Sequence, residues 1–136
     1  MLASIPERYF SFDGRLARLP FFIRGLYLGI VWCLPLVISI FLFASGSRVL
    51  WWLGLVVLVL TTAALAASTV SLTVRRLHDL GLSGYHAIWV FGADLAGSAL
   101  SYGPTYAAWL SLPLIAVSLW LYFWPGNRGD NRFGVA

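Results

Sequence analysis

Lysine is absent from this chain, cysteine occurs once, and only five acidic residues appear in 136 positions. Each shortage excludes something. The single thiol, Cys33, sits inside an apolar run, which rules out an intramolecular disulfide and a thiol-rich metal cluster. The few carboxylates do not supply the several spaced aspartates of a phospholipid-headgroup transferase, and no glycine-rich phosphate-cradling loop is present. Charged residues make up 10% of the chain, whereas soluble domains carry about 25% because their surface must face water.

Apolar residues fill the gap at 60%, with 16% aromatic. A soluble fold of this size could not hide so much apolar surface, so lipid is the expected solvent for most side chains. Residues 25–47 and 49–74 are free of charge, and each run is long enough to cross a hydrocarbon core of about 30 Å. The short connection Ser45, Gly46, Ser47 predicts an antiparallel pair. Two further spans follow less plainly, because His86 and Asp94 interrupt the third. The predicted architecture is all-α: an integral membrane four-helix bundle in one domain, with spans at about 21–44, 49–74, 85–102 and 105–124. Glu7, Arg8, Asp13, Arg15 and Arg18 precede the first apolar stretch, unlike a cleaved signal, so that span is expected to stay.

Arginine supplies all nine basic residues, and eight of them flank one set of span ends, with Arg48 alone on the other. The positive-inside rule therefore puts both termini in the cytoplasm and accounts for the net charge of +4 without nucleic acid as a partner. Small residues four apart, Gly25 and Gly29, Ala63, Ala67 and Ser71, then Ala93, Gly97 and Ser101, fit close helix packing or a dimer seam.

Three polar segments fall on the predicted cytoplasmic face: 12–18, 75–85 and 125–134. Arg75, Arg76, Leu77, His78 and Asp79, followed by Gly81, Ser83 and Gly84, form the most specific pattern; Gly14 and Arg15, with the terminal run from Gly129 to Gly134, support it. On these residues nearly the whole chain resembles the small bacterial inner-membrane proteins grouped as domain of unknown function 805. The resemblance implies a four-helix inner-membrane protein and brings no biochemical activity. The chain departs from the pattern at Leu19 to Phe22, where an acid and a tryptophan commonly stand, and at Tyr85 and His86, which replace a tryptophan pair.

Two readings of the polar face follow from its chemistry. In one, Gly14, Arg15, Arg18, Arg75, Arg76, His78, Asp79, Gly81, Ser83, Gly84, Asn131 and Arg132 form a cytoplasmic cap in which Asp79 pairs with Arg15 or one of the adjacent arginines. In the other, the guanidinium forks and glycine turns hold an anionic lipid headgroup, a phosphorylated ligand or a partner protein. His78, Asp79 and Ser83 are triad residue types without triad geometry, so no catalytic residue, cofactor or metal site is assigned and an enzyme is not expected. Asp94 falls near mid-membrane. It is either a proton relay in a small oligomeric transporter or channel, or a neutral acid bonded to Thr61, Thr62 or Ser68.

Overall fold

The computed structural model describes residues 9–101, 112–127 and 129–134; within the helices, the side chains at 93–94, 97–101 and 113–114 also lie outside the described set. The described residues form four helices: α1 (Arg18–Ala44), α2 (Arg48–Asp79), α3 (His86–Ser101) and α4 (Leu112–Phe123). They contain no strand, only an isolated antiparallel bridge between Asn131 and Gly134. The expected turn at Tyr102 to Pro104 and the expected start of the fourth span at residue 105 lie outside the described residues.

The chain divides into two compact units. The first contains the described residues up to Ser11 together with Ile23–Ser71, and so most of α1 and α2. At 27 and 32 residues these helices are about 40 and 48 Å long at the usual rise per residue, and both are long and apolar enough to cross a membrane. Only 6% of each apolar window is buried, whereas the core helix of a water-soluble domain is mostly buried. A tight turn joins them, with Gly46 at φ +72° and the Ser45 hydroxyl donating to Leu42 O at 2.7 Å. Gly54 then allows close approach, since a Cβ there would lie 3.1 Å from Leu42 and Phe43. Phe43 packs on Trp51, and further along Leu28 to Pro35 share a cavity wall with Thr61 to Ser68, the register of an antiparallel pair. Pro35 is accommodated inside α1.

The second unit comprises Phe12–Phe22 and the chain from Leu72 onward. This unit encloses a small core, although Trp89, Leu95 and Phe123 remain exposed. Leu16, Phe21, Leu72, Leu77, Ala87 and Leu121 are buried, and Arg76 and Asp79 are buried with them. α3 and α4 pack against each other, and Tyr122 sits between Phe21 and Phe22 at ring separations of 5.1 and 6.1 Å.

Helix α2 runs past the expected end of its span at 74. Arg75 to Asp79 were expected to lie in a loop, but they form its last turns, and the loop proper is 80–85. The spacing explains the extension: Leu72, Thr73, Arg76 and Leu77 are buried on one helical face, so the helix continues as long as that face has a partner. It stops at Gly81, whose φ of +76° suits glycine alone. There the Leu82 N–H donates to Leu77 O at 2.9 Å and the Gly81 N–H to His78 O at 3.0 Å, satisfying two carbonyls of the last turn.

Candidate functional site

A carboxylate held by two arginines forms the centre of the second unit. Asp79 Oδ1 accepts from Arg15 Nε at 3.2 Å and Arg15 Nη2 at 3.1 Å, while Oδ2 accepts from Arg76 Nη1 at 2.5 Å. One carboxyl thus serves two guanidiniums, one from the segment before α1 and one from its own helix, three residues back. Its backbone is committed too: the Asn127 N–H donates to Asp79 O at 2.9 Å. Gly126 passes so close that a Cβ there would overlap the carboxylate.

Two cations against one anion leave a surplus charge, which backbone dipoles absorb. Arg76 is wholly buried; its Nε donates to Leu121 O at 2.8 Å and its Nη2 to Trp124 O. Those carbonyls belong to the end of α4, where the helix leaves C=O groups without internal donors and carries partial negative charge. Arg76 therefore caps α4 and is neutralised by it. Burial pushes the guanidinium's pKa below its ordinary value; the charge and hydrogen bond of Asp79 oppose that shift, and the positive charge of Arg18 adds to it. Arginine stays protonated under such a shift.

Arg15 does for the tail what Arg76 does for α4. Its Nη1 donates to Gly129 O at 2.6 Å and Gly134 O at 3.4 Å, and its Nη2 to Asn127 O at 2.5 Å. The neighbouring backbone follows, with the Leu16 N–H donating to Arg75 O at 3.0 Å. The tail folds into a tight turn closed by Asn131 and Gly134, and Asn131 Nδ2 donates to His78 O at 3.0 Å. The Phe133 ring lies parallel to the His78 imidazole at 4.0 Å, with the Arg132 guanidinium 4.7 Å from the Phe133 centroid. His78 Nδ1 lies 3.2 Å from Gly14 O; since a carbonyl only accepts, this nitrogen carries the hydrogen.

Gly14, Arg15, Arg76, His78, Asp79, Gly81 and Asn131 are therefore gathered into one cluster, and Gly84 lies beside it because a Cβ there would meet Val74 and approach His78 Nε2. Asp79 pairs with both Arg15 and Arg76, where one partner was expected. Arg75 joins through its backbone carbonyl. Ser83 does not join; its carbonyl accepts from the N–H of His86 at 3.1 Å and lies 2.9 Å from that residue's ring Nδ1, which makes it part of the turn into α3. Arg18 and Arg132 are exposed at the edge. Asp94 falls within α3 at a position whose side chain is outside the described set, while Thr61 and Ser68 donate to Val57 O and Ala64 O of their own helix. Among the described residues no three His, Cys, Asp or Glu side chains gather as metal ligands.

The model of a family described as protein of unknown function (DUF805) matches residues 9–135. The chain belongs to the DUF805 family. The match begins before the Arg15 segment and runs through Phe133, so all three polar segments of this DUF805 chain lie inside it. No curated protein and no solved structure matches the chain.

Sequence reasoning missed the other half of this DUF805 cluster: the Leu121 and Trp124 carbonyls, Gly126, Asn127 and the Phe133 ring. Backbone acceptors carry no residue signature. The Pro125 and Gly126 pair ending α4 was the one available signal, because a helix end must offer its carbonyls to something.

Proposed function

We propose that this chain is a multi-pass protein of the bacterial inner membrane, with both termini in the cytoplasm, and that its polar unit is a self-clamped cap which works by binding and not by turnover. The observation that carries this reading is the commitment of Arg15 and Arg76 to Asp79 and to five backbone carbonyls. A receptor for a soluble phosphate would keep its guanidinium forks for the ligand; here they join segments of the chain. The binding surface is the exposed rim, where Arg18 and Arg132 meet anionic headgroups of the surrounding leaflet.

Connectivity supports the topology. Arg15 bonds to Asp79 and to Gly134, so all three lie on one side of any membrane the chain crosses. Between Arg15 and Asp79 the chain contains α1 and α2, which makes two crossings; between Asp79 and Gly134 an even number must follow. Helices α3 and α4 therefore cross together or not at all, and in the reading proposed here they cross as the second pair of a four-helix membrane bundle.

The test is lipid retention by the full chain in native mass spectrometry, with phosphatidylglycerol and phosphatidylcholine supplied together. Wild type should keep phosphatidylglycerol preferentially, and Arg18→Ala with Arg132→Ala should lose that preference while remaining folded. An unchanged preference in the double variant rejects the rim. Cysteine-accessibility labelling that places residues 13 and 130 on opposite faces rejects the topology.

A further inference from the structure

Within the first unit a cavity of about 300 Å³ opens between α1 and α2, at the lower end of the size range of small-molecule sites. Four aromatic side chains stand in its wall, Tyr9, Phe10, Tyr27 and Trp32, with Tyr9 and Tyr27 stacked at 6.0 Å. One polar side-chain group of α1 in this wall lacks a hydrogen-bond partner within the protein. The indole Nε1 of Trp32 is buried and has no acceptor. The Thr61 and Ser68 hydroxyls in the wall donate to carbonyls of their own helix, and neither accepts from the indole.

Trp32 lies eleven residues beyond Phe21, about 17 Å along the helix axis, which is the middle of a hydrocarbon core about 30 Å thick. No water reaches that depth to satisfy an indole donor, so an acceptor must arrive dissolved in the membrane. A phospholipid chain does not bring one, since its ester carbonyls stay at the headgroup boundary. A carbonyl-bearing ring on a hydrophobic tail does, and flat aromatic walls suit a flat ring.

The geometry points to this cavity as a binding site for a lipid-soluble quinone-type ring, with the Trp32 Nε1–H donating to a ring carbonyl; the assignment rests on the membrane placement proposed above. Binding alone is assigned, with no electron transfer. The test uses the full chain in vesicles of phosphatidylethanolamine and phosphatidylglycerol with an azido-substituted decylbenzoquinone as photolabel. Label is expected on peptides covering 27–35 and 61–68. Trp32→Phe, which keeps the ring and removes the donor, should reduce labelling about fivefold, as loss of one hydrogen bond predicts. Ala64→Leu, which fills the cavity, should reduce it at least about tenfold. Protease protection of the tail in each variant shows that the second unit is still folded. Labelling unchanged in both variants, spread evenly along the helices, or displaced equally well by oleic acid overturns the assignment, the last by showing an acyl-chain groove only. Extraction by alkaline carbonate separates the two readings. A chain that stays in the vesicles without site-specific label refutes the quinone site alone, and a chain washed off refutes the site together with the membrane placement.

Discussion

The hairpin unit leaves Leu34, Phe41 and Leu60 about two-thirds exposed or more, while the polar unit buries an arginine completely. The rule follows residue type more than unit, since Trp89 and Leu95 of α3 are also about three-quarters exposed while the charges of the cluster are enclosed. Apolar side chains that face lipid need no protein partner, because lipid tails are as apolar as they are. Charges that leave water must find partners inside the protein, and here a carboxylate and helix-end carbonyls provide them.

The largest way to break this contrast is Asp79→Ala. It leaves two guanidiniums facing each other without their anion, and removing one partner of a buried pair typically costs about 3–5 kcal/mol. Thermal unfolding in detergent should show a large drop in Tm with rapid proteolysis after α2, while the helical content of the hairpin remains; a Tm within a degree of wild type would remove the clamp from its central place. Gly126→Ala is next. The added methyl overlaps the Asp79 carboxylate, and overpacking of this kind costs about 1–3 kcal/mol, read as faster cleavage of the tail at residues 125–134. Gly81→Ala should lower Tm by the equivalent of about 1–2 kcal/mol because the position takes φ of +76°, and its added Cβ, 2.5 Å from Asn127 Nδ2, must also displace that side chain. Phe133→Ala removes one ring stack worth about 0.5–1.5 kcal/mol and should shift the NMR resonances of His78 more than it shifts Tm. At the small end, Leu60→Ala in the hairpin should change stability by less than about 0.5 kcal/mol. A loss of about 2–5 kcal/mol there, the cost of emptying a protein core, would mean that α2 is covered by protein and not by lipid.

The hairpin was legible in the sequence because a run without charge is a one-dimensional signal: residues 25–47 and 49–74 mark α1 and most of α2, and Gly46 marks the turn. The polar unit was legible only by residue type. Asp79 and its candidate arginines could be named, but a double clamp depends on where residues 15, 76 and 79 meet in space, and sequence separations of 64 and 3 say nothing of that. The end of α2 was misplaced for a related reason. Arg75 and Arg76 look like interface anchors when they are counted as charges, yet Arg76 occupies a buried helical position between Leu72 and Leu77. Ser83 was grouped with its neighbours by proximity along the chain, whereas its carbonyl serves His86.

The reach of Arg15 to Gly134, across 119 positions, also sets a schedule for synthesis. Arg15 meets this acceptor only after 119 further residues have been made, roughly 6–24 s later at ordinary translation rates. Until Asp79 has been made, 64 positions on, Arg15 lacks its carboxylate, and an unneutralised positive charge resists translocation. In the topology proposed above, the guanidinium that later fastens the tail is thus still without its carboxylate while the first helix is being oriented.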